Sequence, residues 1–257
     1  MKYQELRKDA ETVANSAKIE VLELDGTAYK LFDKSFSPTQ VFYEAMLQSM
    51  AEEAGIRVPK IYGIEQIDGR FAILSEYIEG KTVAQLMEEY PGKKDYYLGL
   101  LADTQLSIHS HTVADIKKLK HKLAREIKSL AVLDEIKKYE LETRLASMPE
   151  HNKLCHGNFG PENVVIDGMD KIIVLDWVAA TRGNATADIA KTYFKLSLTS
   201  TELAERYTTV VCEKSGIDRQ YVYEWLPLMA ACGLCQKNTT EKEKAILYSW
   251  LDVVDYS

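Results

Sequence analysis

Leu154-Cys155-His156-Gly157-Asn158-Phe159-Gly160-Pro161-Glu162-Asn163 leads into Val164-Val165-Ile166-Asp167, then Gly168-Met169-Asp170-Lys171, Ile172-Ile173-Val174-Leu175 and Asp176-Trp177. The two β-branched runs flank a connection containing glycine, which is hairpin chemistry. If Ile166 faces Ile173 across the hairpin, Asn163 faces Asp176. An amide oxygen and a carboxylate then stand together at the open end, and two hard oxygen ligands with room for water and phosphate suit Mg²⁺. On these residues alone, an Asn cap and a surface Asp beside an ordinary hairpin explain the pattern equally well.

Working outward, His156-Gly157 followed by Asn163, then Asp176-Trp177, then Ala187-Asp188-Ile189-Ala190 resembles the aminoglycoside phosphotransferase and choline-kinase-like family, a branch of the protein-kinase-like fold. The spacing matches, with one departure at its centre. Where the family has a catalytic Asp after His-Gly, this chain has Asn158. The resemblance implies an α+β, two-lobed protein-kinase-like fold. Residues 1–79 would be a nucleotide-binding lobe with a small antiparallel sheet and one main helix, and residues 80–257 a helical lobe with the catalytic loop and the acceptor site. It also implies ATP or GTP with Mg²⁺ as cofactors, and Asn163 and Asp176 as metal ligands. Asn158 and Asp176 would be the catalytic positions, and Asp188 a buried carboxylate holding the catalytic loop through backbone N–H bonds. His156 would be a packing residue of that loop.

The chain before this stretch agrees. Ile19 to Leu24, Asp25-Gly26 and Thr27 to Phe32 predict a hairpin closed by a type I′ turn, with Lys30 on its second strand. Ser37-Pro38-Thr39-Gln40 is a capping box with Pro at the first helical position. It opens a helix that runs to Ala54 before Gly55, with Val41, Phe42, Ala45 and Met46 on one face. Glu44 lies on that helix, in the strand-then-helix order in which kinases pair a phosphate-binding Lys with a Glu, so the resemblance assigns Lys30 and Glu44 to nucleotide binding.

Ile61 to Ile67, Asp68-Gly69 and Arg70 to Tyr77 repeat the hairpin pattern, and the exit resembles the family's hinge, whose backbone groups at Ser75 and Tyr77 would receive the adenine edge. The phosphate-covering turn falls near Ala14 to Lys18 and has no glycine, so Ser16 or Lys18 side chains would replace close backbone approach.

Beyond Gly80 the pattern is helical. A short helix spans Thr82 to Tyr90, and a longer one carries Leu98, Leu101, Ala102 and Leu106, with His109 continuing the stripe as a core histidine. Leu119, Leu123, Ile127 and Leu130 mark a further helix whose solvated side would hold Lys117, Lys118, Lys120 and Lys122. The interval from Asp176 to Asp188 is too short for the peptide-docking segment of protein kinases, so the expected acceptor is the hydroxyl of a small molecule.

A net charge of -7 with 28% charged residues excludes the basic surplus of a nucleic-acid binder. It permits a polycationic acceptor, as do Asp252, Asp255 and the Ser257 carboxylate. The start lacks the apolar core of a signal peptide, and the longest uncharged apolar run, Trp225 to Cys235, is too short for a bilayer, so no membrane association and a cytoplasmic location are expected. Cys155, Cys212, Cys232 and Cys235 read as buried thiols. No feature fixes the oligomeric state. The leading expectation is an ATP-dependent kinase of an aminoglycoside or a choline-like or sugar-like metabolite, weakened at Asn158. The alternative is a nucleotide-binding pseudokinase, a regulatory or binding protein.

Overall fold

The computed structural model describes residues 2–235 and 239–251, so Asp252, Asp255 and Ser257 lie outside the described residues. The chain divides into two compact units, one formed by Met1–Leu86 with Glu162–Val178 and the other by Met87–Pro161 with Ala179–Ser257.

In the first unit, β1 (Glu11–Asn15), β2 (Ile19–Leu24), β3 (Thr27–Phe32), β4 (Ile61–Ile67) and β5 (Arg70–Glu76) form an antiparallel sheet in the order β1-β2-β3-β5-β4. Both Asp-Gly turns form as their sequence dictates. Asp25 and Gly26 have φ of 49° and 75°, and Asp68 and Gly69 have 47° and 79°, matching the right-handed twist of the strands they join.

One face of the sheet buries Leu22, Leu31, Ile67 and Ala72 against Leu6, from the helix Tyr3–Asp9 that the sequence reading missed. The other buries Phe32 and Ile73 against Val41 and Ala45 of the helix Pro38–Glu53. That helix carries the expected box: Ser37 Oγ accepts from Gln40 N, while Gln40 Oε1 accepts from Ser37 N. Such a cap contributes about 1 kcal/mol. Its buried face differs from the expected one. Leu47 and Glu44 are buried, whereas Phe42 and Met46 are exposed, because the sheet meets the helix along the row containing positions 41, 44, 45 and 51.

The hairpin of Val164–Asp167 and Ile172–Val174 joins this unit rather than the helical remainder to which a boundary at residue 79 assigned it. Gly80–Thr82 is a strand, and it pairs with Val164–Asp167. The hairpin register is also one residue from the expected one: Ile166 faces Ile172 and Val165 faces Ile173, so Asn163 is opposite Leu175. The turn is responsible. Asp170, at φ 59°, takes the left-handed position, Asp167 N donates to Lys171 O at 3.0 Å, and Asp167 Oδ1 accepts from Met169 N and Lys171 N at 2.8 Å each. Lys171 therefore closes the ladder instead of lying in the loop.

The second unit is mainly helical. Helices Lys94–Ser110, Thr201–Ser215, Ala185–Ser197 and Leu226–Leu234 pack around Leu98, Tyr193, Tyr207 and Trp225, all buried. Thr181–Gly183, within the short interval before Asp188, pairs with Lys153–Cys155. Leu119, Leu123 and Ile127 are buried on the helix Leu119–Ser129 as its spacing predicted. The cysteines are free thiols, with Cys155 and Cys232 buried and Cys212 and Cys235 only partly so.

Candidate active site

In the first unit the sheet and the capped helix bring together three of the expected residues. Lys30, on β3, sits across from Ile73 and reaches Glu44 of the helix Pro38–Glu53, with its ammonium also 3.5 Å from Asp176 Oδ1. Burial opposes a charge on Lys30, but the Glu44 and then Asp176 carboxylates outweigh it and hold the ammonium above the ordinary lysine value. Burial pushes Glu44 upward, Lys30 opposes this, and Asp176 adds to the rise. A cation shared between two carboxylates is fixed in position and remains charged.

Asp176 follows the second strand of the hairpin and has φ of 63°, a left-handed conformation that costs a non-glycine residue energy and ends the ladder there. Asn163 closes the short turn Pro161–Asn163, and its carbonyl accepts from Leu175 N at 2.8 Å. Among the described residues, no group of three or more His, Cys, Asp and Glu side chains could hold a metal ion. One carboxylate and one amide nevertheless suit Mg²⁺, which keeps several waters and takes phosphate oxygens for its remaining positions.

The adenine-edge and phosphate-turn residues are more occupied than the sequence suggests. Ser75 pairs with Ala28 on one side and Ile61 on the other, and Tyr77 N donates to Gly26 O at 2.9 Å, so that N–H is already engaged. Ser16 Oγ donates to Ile19 O at 3.0 Å and accepts from Ile19 N at 3.1 Å. Ser16 thus closes the turn, and Lys18 beside it is exposed.

In the second unit Asp188 has the expected structural part. Its Oδ1 accepts from Gly157 N at 2.7 Å, and its Oδ2 accepts from His156 N at 3.0 Å, Gln105 Nε2 at 3.2 Å and His109 Nε2 at 3.0 Å. A carboxylate acceptor requires the His109 proton to be on Nε2. Burial raises the Asp188 pKa, but the His109 hydrogen bond and charge, with the Gly157 N–H, bring it well below the usual carboxylate range. Gly157, at φ 74°, is irreplaceable by size as well as angle, because an added Cβ would meet Ala179 O at 2.3 Å. His156 is fully buried, and its Nδ1 accepts from Asn158 N at 3.1 Å, as befits a loop-packing residue.

Asn158 has a partner that the sequence reading did not identify. Lys195 Nζ donates to Asn158 Oδ1 at 3.0 Å and to Asn158 O at 3.1 Å. An ammonium has only donors, so the amide oxygen must be the atom facing it. The signal was present as spacing: Asp188, Thr192 and Lys195 recur at helical intervals, and Thr192 Oγ1 accepts from Gln105 Nε2 at 3.0 Å in the same network. Lys122 is the other departure. Instead of lying on a solvated face it is half-buried and donates to Ala179 O at 3.3 Å.

Solved structures with this fold include a thermostable mutant of aminoglycoside phosphotransferase APH(4)-Ia in ternary complex with ADP and hygromycin B. It is 15% identical with a TM-score of 0.72, covering 97% of this chain and 94% of that one. Choline kinase LicA from Streptococcus pneumoniae is 14% identical with a TM-score of 0.66, covering 96% of each chain. Aminoglycoside-3'-phosphotransferase of type VIII is 17% identical with a TM-score of 0.62, covering 95% and 93%. The α+β kinase-like fold is therefore the one these enzymes share. No curated protein matches the chain in sequence. The sequence pattern of the phosphotransferase enzyme family does match, over residues 29–225, a span that includes Lys30, Glu44, Asn158, Asn163, Asp176 and Asp188, and the chain belongs to that family.

Proposed function

We propose that this chain transfers the γ-phosphoryl group of ATP or GTP to a hydroxyl group of a small molecule. The observation that carries the proposal is Lys30 held between Glu44 and Asp176, an arrangement that fixes one cation for phosphate oxygens. Asn163 and Asp176 are the residues to hold Mg²⁺, which supplies neutralisation of the phosphate charge. The acceptor oxygen bonds to the γ-phosphorus as the bond from that phosphorus to the ADP oxygen breaks. The hydroxyl proton has no carboxylate at position 158 to receive it and passes to water. Positioning and charge stabilisation dominate such a loose transition state, so turnover persists at a rate reduced by the missing base. Glu162, exposed in the turn Pro161–Asn163, is a weaker candidate for that base than a carboxylate at position 158.

A second reading, a nucleotide-binding pseudokinase, is favoured by one observation: the Asn158 amide oxygen is already committed to Lys195. Choline-like amines, sugars and aminoglycosides all remain acceptor classes within the first reading. A location in the cytoplasm belongs to the same proposal; no helix among the described residues is long and apolar enough to cross a membrane.

The test is a thermal-shift screen of the full chain with ATP or GTP, Mg²⁺ and a panel of hydroxylated metabolites and aminoglycosides, followed by an ADP-release assay on each hit. ADP release that requires one acceptor supports the transferase. Nucleotide binding without ADP release from any bound acceptor supports the pseudokinase.

A further inference from the structure

Within the second unit a narrow cleft is lined by Lys122 and Glu126 of the helix Leu119–Ser129, Lys191 of the helix Ala185–Ser197, Met229 and Cys232 of the helix Leu226–Leu234, and Gly157 of the catalytic loop. It is a small cleft, of about 20 Å³. A space this small holds at most one small terminal group and not the rings of a polycationic antibiotic.

The charges of the walls decide which kind of group. Asp188 also borders the cleft, but its oxygens are engaged by His109, Gln105 and the His156 and Gly157 N–H groups. Burial, with the nearby Glu126, keeps the Cys232 thiol neutral. Two ammonium groups therefore face one available carboxylate, Glu126. Burial, and next the like charge of Lys191, push Lys122 below the ordinary lysine value, although Glu126 opposes the shift. Lys122 has one neutral partner, Ala179 O, and among the described residues Lys191 has no hydrogen-bond or ion-pair partner. An anion placed between the two lysines would relieve their repulsion and supply the charged acceptor that Lys122 and Lys191 do not have.

We propose that this cleft is the subsite for an anionic group of the phosphate acceptor, so that the acceptor is a hydroxyl compound bearing a carboxylate or a phosphate. The inference rests on the transferase reading and narrows its acceptor class away from polycations. Gly157, which precedes Asn158, lines the cleft, so a molecule anchored there by its anionic end lies beside the loop at which its hydroxyl is to react.

The experiment is isothermal titration of the full chain with D-glycerate, gluconate, glucose 6-phosphate, inorganic phosphate and kanamycin, each in the presence of Mg²⁺ and a non-hydrolysable ATP analogue. It is repeated with Lys122→Met, Lys191→Met and Lys191→Arg after circular dichroism has confirmed folding. The expected result is binding of at least one of the anionic hydroxyl compounds, weakened at least about tenfold in either methionine variant, retained in Lys191→Arg, with unchanged affinity for the ATP analogue. Lys191 is half-buried, so its variants provide the reading if Lys122→Met does not fold. Inorganic phosphate separates the two sources: displacement of the hydroxyl compound by phosphate identifies a phosphate-bearing acceptor, and its failure to compete identifies a carboxylate. Binding of kanamycin but of no anion, or anion binding equal in wild type and both methionine variants, overturns the inference while leaving the transferase reading intact. Failure of the ATP analogue itself to bind overturns both.

Discussion

Lys195 Nζ lies 3.0 Å from Asn158 Oδ1 and 3.1 Å from the Asn158 carbonyl oxygen, so one ammonium holds both oxygens of the residue that follows His156-Gly157. The amide is oriented by this contact, and its oxygen is not available as a proton acceptor.

Replacing Asn158 by Asp should restore a base and pair it with Lys195. The expected gain in turnover is about 10²–10⁴-fold, measured as ADP release with an acceptor already shown to bind. The Lys195 charge favours the ionised carboxylate, so the gain should extend to the acid side of neutrality and move to higher pH when Lys195→Met is added. No gain with nucleotide and acceptor both bound would move the protein to the pseudokinase class.

Asp176→Ala should weaken Mg²⁺-dependent ATP binding more than Asn163→Ala does, because a carboxylate brings a full charge to the cation and an amide only a dipole. Titration of ATP with and without Mg²⁺ measures the difference. Equal and undiminished affinity in both variants would remove the metal site from this hairpin.

Lys30→Met should destabilise the first unit as well as abolish phosphate contact. It leaves Glu44, only 7% exposed, without its cation and beside Asp176. Breaking a buried pair from one side costs about 3–5 kcal/mol. Adding Glu44→Gln should recover part of that stability without recovering nucleotide affinity, a separation readable from urea unfolding set against titration. If the single and double variants are equally stable, Glu44 is not buried against Lys30 as described.

The Asp188 carboxyl has a folded-state pKa below its unfolded value of about 3.9. Its contribution to stability is therefore complete above that value and is lost as pH falls through it toward the folded value. Wild type should lose stability steadily below about pH 5, and Asp188→Asn should be less stable at neutral pH with a shallower acid slope. Parallel slopes from denaturant melts between about pH 3 and pH 7 would show that Asp188 is not the group responsible.

The local elements were legible in the sequence because their causes are local. Asp25-Gly26 and Asp68-Gly69 require left-handed angles that few residues adopt, and Ser37 with Gln40 forms its cap within one helical turn. The motif from His156 to Asp188 was equally legible, since its spacing reflects one loop, one hairpin and one helix start.

What depends on distant partners was not. The hairpin register moved by one residue because the Asp167 side chain and the left-handed Asp170 closed the turn one position earlier than the flanking isoleucines suggested. Phe42 and Met46 fell outside the buried face because the sheet, not the helix, selects which stripe it covers. Lys122 read as a helix-surface lysine and Lys195 was not singled out, since a sequence shows a charge and its spacing but not the carbonyl or amide toward which packing turns it. The sequence by itself determined most of the elements and the family; the tertiary structure decided which charges are paired, because pairing is set by the packing of elements far apart in the chain.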